Sequence, residues 1–231
     1  MSVLSFNPIW ESDLYGKGLH LNRYPFDAVV TFVYRYHPRD KPRHEIRILE
    51  IGCGAGNNLW FAAREGFTVA GVDGSASAIE FARRRFREEN LSGDFHVADF
   101  TVLPFPSESF DLAIDRGALV CVGRSVAQQA VAELRRVLRP EGRFFCNVYS
   151  DRHTSHASGR PGPDGLTVDI SAGTLQGVGP LSFYGRSQLN DLLTGWRLLS
   201  CQHMECAEEI RASIEIHAEW RAIVEKTDAQ G

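Results

Sequence analysis

From residue 46 to residue 59 the chain reads Ile-Arg-Ile-Leu-Glu-Ile-Gly-Cys-Gly-Ala-Gly-Asn-Asn-Leu, the stretch that most restricts its fold. Ile46, Ile48, Leu49 and Ile51 form a β-branched and apolar run, as expected of an interior parallel strand. Gly52, Gly54 and Gly56, on alternate positions, let the backbone turn sharply and bring a ligand close to the main chain. From Leu59 to Arg64 the apolar spacing becomes helical, so the first amides of that helix point at whatever the turn holds. Strand, glycine turn and helix in this order are the start of an α/β sheet.

The spacing differs from a dinucleotide fingerprint. Gly-x-Gly-x-x-Gly would place its last glycine at 57, where this chain has Asn57. Glu50, two residues before the first glycine, would repel a pyrophosphate and suits a cationic ligand. The Glu50-x-Gly52-x-Gly54-x-Gly56 pattern resembles motif I of the class I S-adenosylmethionine (SAM) dependent methyltransferases.

Later segments agree with that resemblance in order and spacing. Phe67–Asp73 reads as a second strand ending in an acid, 21 residues after Gly52, where a carboxylate can accept ribose hydroxyls. A helix is expected from Ser75 to Asn90, with Phe81 inward and its arginine cluster on a solvated face. Phe95–Phe100 ends a third strand in Asp99-Phe100; the resemblance implies that Asp99 accepts the adenine amino proton and that Phe100 offers its backbone amide. Phe105–Asp115 resembles the family's run into strand four, and Leu134–Phe144 its Leu-Lys-Pro-Gly-Gly turn before strand five. The resemblance spans residues 46–225 and implies an α/β, Rossmann-like seven-stranded sheet with an antiparallel last strand and helices on both faces. As cofactor residues it implies Glu50, Gly52, Gly54, Gly56, Asn58, Asp73, Gly74, Asp99, Phe100 and Asp115.

The chain divides into an N-terminal helical lid, 1–45, and a SAM-binding domain, 46–231. Phe26, Val29, Val30, Phe32, Val33 and Tyr36 mark an amphipathic helix with Pro25 in its first turn. Ahead of it, Trp10, Tyr15 or Tyr24 could present a π face to a sulfonium and Arg23 could pair with the ligand carboxylate, with Gly16 and Gly18 as hinge. Residues 150–182 lose all periodicity and read as one long polar loop at the strand tips. Ser187–Leu193 reads as a short helix, and Arg197–Glu205 with Arg211–Glu225 as a closing hairpin, on the alternation of Ile214, Ile216, Ala218 and Trp220.

Composition narrows the partners. A net charge of −4 speaks against electrostatic attraction to nucleic acid or anionic lipid. No run is long enough to span a membrane, and the five cysteines form no CxxC pair, so reduced thiols in a cytoplasmic monomer or homodimer are expected. No metal-ligand set is legible. After strand four the chain reads Asp115-Arg-Gly-Ala-Leu119 in place of Asn-Pro-Pro-Tyr, which disfavours methylation of DNA bases.

A small polar acceptor under the lid and the 150–182 loop is the resulting expectation. It is similar to small methyltransferases of bacterial polysaccharide and secondary-metabolite pathways. Asn147, Tyr149 and Tyr184 are the neutral groups expected to face the acceptor, and His153, His156, His203 or Asp115 the candidate base. Two other readings stay open. In one, SAM is the sole substrate and its α-amine attacks its own γ-carbon, as in the azetidine-2-carboxylate synthases of this fold, with Asn147 and Tyr184 holding the amine. In the other, the chain is a non-catalytic SAM-binding subunit.

Overall fold

The computed structural model describes residues 7–19, 21–210 and 215–227. A wide helical turn at Trp10–Leu14 and a tighter one at Tyr15–Lys17 precede α1 (Asp27–Tyr36). Pro25 lies just outside α1, because Phe26 already has the extended backbone of an N-cap. Alternation then carries the parallel half: β1 (Arg47–Ile51), α2 (Asn57–Arg64), β2 (Thr68–Asp73), α3 (Ala76–Glu88), β3 (Asp94–Val97), β4 (Phe110–Arg116), α4 (Arg124–Val137) and β5 (Leu138–Tyr149).

The stretch expected to be one loop has structure of its own: α5 (Thr154–Ala157), then β6 (Arg160–Pro161), β7 (Leu166–Val168) and β8 (Leu181–Ser182), paired as a small antiparallel sheet. Its strands are two or three residues long, too short to show an alternation in the sequence. After α6 (Arg186–Leu192), β9 (Trp196–Glu208) and β10 (Glu215–Lys226) close the chain. Ile214, part of the alternation expected there, lies outside the described residues.

The main sheet runs β3-β2-β1-β4-β5-β10-β9. β1 to β5 are parallel, and β10 slots antiparallel between β5 and β9. This is the seven-stranded sheet expected, with its last strand antiparallel. Alternate residues feed two cores. Ile48, Leu112, Ile114 and Phe145 meet α1, α2 and α3 through Phe32, Leu59 and Ile79. Leu49, Ile51, Ala113, Phe144 and Cys146 meet α4 and α6 through Ala130, Leu134 and Leu189. Each such buried Leu, Ile or Phe contributes about 1.5–3 kcal/mol.

Two local expectations are corrected. Phe81 is half-buried, while Arg85 of the arginine cluster is buried over the Trp60 ring at 4.1 Å and donates to the Arg23 carbonyl at 2.7 Å. The turn expected before β5 lies inside it, at the register shift between Leu138 and Arg143, and has Glu141 at φ +60° where the family pattern has glycine. Among the described residues no helix is long and apolar enough to cross a membrane. All five cysteines are free.

Candidate active site

All the parallel strands end on one edge of the sheet, and the site is built from their tips. Gly52, Gly54 and Gly56 have φ of +58°, +50° and +71°, so each backbone needs glycine. A Cβ on Gly52 would stand 2.2 Å from that of Ala118, which shows how closely the turn approaches the start of the segment after β4.

Glu50 is 2% exposed at the end of β1. Its Oε1 accepts from Asn58 Nδ2 at 2.6 Å, while Oε2 is buried with no hydrogen-bond partner among the described residues. Burial, reinforced by Asp115 and Asp73, pushes its carboxyl up to about 8 against the lowering effect of Asn58. An unmatched carboxylate oxygen beside a glycine turn is a receptor for an ammonium group. Asn58 Oδ1 accepts from Phe26 N at 3.0 Å and Asn57 Nδ2 donates to the Tyr24 carbonyl at 2.7 Å, tying the preface to the turn.

Asp73 ends β2. Its oxygens accept from Gly54 N and Ser75 N, both at 2.8 Å, and burial raises its carboxyl against those two hydrogen bonds. Ser75 caps α3 by accepting from Ala78 N. Glu11 of the preface reaches the hydroxyls of Ser75 and Ser77, so the N-terminal segment is latched onto the start of α3.

The cleft has two connected compartments. A cavity of about 110 Å³ is bounded by Asp73, Gly74, Phe100, Ala118 and Val122. A larger one, about 620 Å³, is lined by the polar Glu50, Asn57, Asn58 and Tyr149 and by the apolar Val120, Leu175, Val178 and Leu181. Trp10, Tyr15, Gly52, Arg116, Gly117 and Cys121 line both. The Trp10 and Tyr15 rings lie 5.7 Å apart over this junction. Burial, with Asp73, Cys53 and Glu50 nearby, holds the Tyr15 phenol far above its ordinary range and hence neutral.

Several expected site residues lie elsewhere. Asp99 lines neither compartment, and its Oδ1 accepts from Thr101 N and Oγ1. Arg23 is exposed and contributes its carbonyl to Arg85. Asp115 is fully buried below the floor, where Oδ1 accepts from Ala118 N at 2.8 Å and Leu119 N at 3.0 Å; burial pushes its carboxyl up to about 7. Asn147 donates to the Trp220 carbonyl, and Tyr184 turns its hydroxyl into the core, so neither faces the cleft. His156 meets Thr167 and His203 meets Ser150. Tyr149 does line the larger compartment; burial pushes its phenol up to about 12, opposed by Arg116. His153 sits behind it, ring centroids 5.7 Å apart.

Arg116 and the apolar lining were missed by reasoning from sequence. Arg116 closes β4 directly after Asp115, and its guanidinium lies over the Phe26 ring at 4.1 Å. A basic residue at a strand tip was the available signal. Leu175, Val178 and Leu181 gave none, because they lie in the stretch read as polar loop.

The residues present fit SAM: an orphaned carboxylate oxygen for its ammonium, a glycine cradle, and an acid beside the smaller compartment. Among the described residues no group of three or more His, Cys, Asp or Glu could hold a metal ion.

Residues 48–142 match a family model described as a methyltransferase domain. The chain is 36% identical over 101 residues to the methyltransferase GfsG of Streptomyces halstedii, covering 42% of this chain and 36% of that protein. It is 32% identical over 147 residues to a fatty-acid O-methyltransferase of Mycolicibacterium smegmatis, covering 62% and 47%. The matches span from 36% to 60% of the first curated relatives' lengths. A solved SAM-dependent methyltransferase from Methanosarcina mazei superposes with a TM-score of 0.69 at 20% identity, over 85% of this chain and 97% of that one, a likeness of fold.

Proposed function

We propose, from the premise that this chain belongs to the class I SAM-dependent methyltransferases, that it transfers a methyl group to a small acceptor held in the larger compartment. The observation that carries the proposal is the junction itself. A recess beside Asp73 opens, across Gly52 and Gly117, into a second and larger space lined by both polar and apolar side chains. Transfer in line needs two such spaces meeting at one point, in a site poor in water.

When bound, SAM supplies an electrophilic methyl group on a sulfonium. Glu50 offers Oε2 to the ammonium, and Asp73 keeps lone pairs for the ribose hydroxyls beyond those used by Gly54 N and Ser75 N. Trp10 and Tyr15 roof the junction, where their π faces favour a cation. Arg116 offers a guanidinium to a carboxylate or carbonyl of the acceptor, and Leu175, Val178 and Leu181 cover its apolar part.

The intramolecular reading relied on Asn147 and Tyr184 to hold the amine. Both lie beneath the floor, which favours an external acceptor. The test is incubation of the pure protein with SAM, alone and with a panel of small hydroxylated acids, followed by mass spectrometry. S-adenosylhomocysteine formed only with an acceptor supports transfer. Methylthioadenosine from SAM alone would support cyclisation, and binding without turnover across the panel a non-catalytic role.

A further inference from the structure

Behind Tyr149, three side chains from distant parts of the chain meet at hydrogen-bond distance. His153 Nε2 and His217 Nδ1 lie 3.2 Å apart, and Thr174 Oγ1 is 3.3 Å from the first and 3.2 Å from the second. The direction of the chain is set by one backbone group. His153 Nδ1 accepts from Ser155 N at 3.0 Å, so in the neutral ring the proton is on Nε2. Nε2–H then faces both Thr174 Oγ1 and His217 Nδ1, and in either case His217 Nδ1 is left as an acceptor, for the Thr174 hydroxyl among others, with the His217 proton on Nε2. That nitrogen faces the buried Glu219 Oε2 at 3.5 Å, and Glu219 is steadied by Arg221 Nε donating to its other oxygen at 2.6 Å.

This is the arrangement of an oriented base: carboxylate, imidazole, hydroxyl. It sits at the start of β10, which runs antiparallel to β5, so it belongs to the same sheet edge as the cleft. Thr174 and Tyr149 line the larger compartment. The supporting charges agree. Burial pushes His153 down to about 4, keeping it neutral, and the neighbouring His217 and Arg221 overcome burial to hold Glu219 down to about 2.

We propose that Thr174, His217 and Glu219 form a proton relay for a hydroxyl acceptor, an inference that rests on the methyl-transfer reading above. As the acceptor oxygen forms its bond to the methyl carbon, the carbon–sulfur bond breaks and its electron pair stays on sulfur. The acceptor proton passes to Thr174 Oγ1 while the Thr174 proton passes to His217 Nδ1, and the imidazolium is stabilised by Glu219. Thr174 is the group that touches the acceptor; Glu219 is a positioning residue. Among the described residues, the titratable and charged groups around His217 include Glu215, Glu219 and Arg221 on its own strand, Cys206 opposite it on β9, Tyr149 on β5, Arg116 on β4 and His153 beyond.

Two measurements test the relay. Nitrogen NMR of the imidazoles in the full chain should find neutral His217 protonated on Nε2; a proton on Nδ1 would overturn the relay whatever the reaction. With an acceptor found in the panel, Thr174→Val should lower kcat at least about 100-fold and Thr174→Ser should restore most of it, with SAM affinity unchanged in both. Glu219→Gln should move the acid limb of the rate profile to lower pH, because loss of the carboxylate weakens the base. Full activity in Thr174→Val would overturn the relay while leaving methyl transfer intact. A panel without any turnover would overturn the transfer reading, and the role of the relay in it.

Discussion

The Tyr15 hydroxyl stands 2.5 Å from the point a β-carbon on Gly54 would occupy, so the aromatic preface reaches the glycine turn itself. The same phenol lines both compartments, and the latch through Glu11 to Ser75 and Ser77 holds its segment in place. A nucleoside entering between Glu50 and Asp73 is therefore expected to shift the Tyr15 hydroxyl off Gly54 while the ring still roofs the junction. Tyr15→Ala should raise the association rate constant for SAM severalfold. Stopped-flow tryptophan fluorescence, to which Trp10 beside the site contributes, follows the association, and an unaltered rate would mean the ring is no obstacle.

Glu50 makes binding a proton-coupled event. Its folded value of about 8 lies above the ordinary 4.5, so the free protein holds a proton there at pH 7 that the unfolded chain lacks. Stability associated with that neutral carboxyl is fully present below about pH 4.5 and is lost as pH rises toward 8; Asp115, pushed up to about 7, acts in the same sense. An arriving ammonium favours the charged form and expels the proton. Binding enthalpy at pH 7 should therefore vary with the ionisation heat of the buffer. Glu50→Gln should remove that dependence and weaken SAM about 10- to 100-fold, the worth of one charge-assisted hydrogen bond.

Asp73 has a structural share as well as a binding one. Asp73→Ala leaves the Gly54 and Ser75 amides without their acceptors, at a cost of at least about 2 kcal/mol. Chemical denaturation should show that loss, and calorimetry a marked fall in SAM affinity. Unchanged affinity would remove the ribose assignment.

Glu141 occupies the left-handed region at φ +60°. Glu141→Gly relieves strain of about 1–2 kcal/mol and adds back part of it as chain entropy, so a net gain of about 0.5–1 kcal/mol is expected. The turn lies at the opposite end of β5 from the cleft, and SAM affinity should not change. A lower denaturation midpoint would count against the strain argument.

The parallel half of the sheet could be read from sequence because each of its strands is an apolar run ending at a turn or an acid, as in Ile48–Gly52 and Val69–Asp73. Backbone geometry decides those positions locally. Which acids face the cleft is decided by tertiary contacts. Asp99 and Asp115 look equivalent to Asp73 in sequence, and all three accept from nearby backbone amides, yet of the three it is Asp73 that lines the cleft. Thr174 and His217 are 43 residues apart and meet only because β10 returns between β5 and β9. The alternation Ile216, Ala218, Trp220 placed His217 and Glu219 together on the opposite face, which was the trace of that pairing available in the sequence.

The most direct measurement is a crystal structure of the protein with S-adenosylhomocysteine. The amino group is expected on Glu50 Oε2 and the ribose hydroxyls on Asp73, with Tyr15 moved off Gly54. A nucleoside bound away from the glycine turn, or none bound at saturating concentration, would contradict the assignment of this cleft.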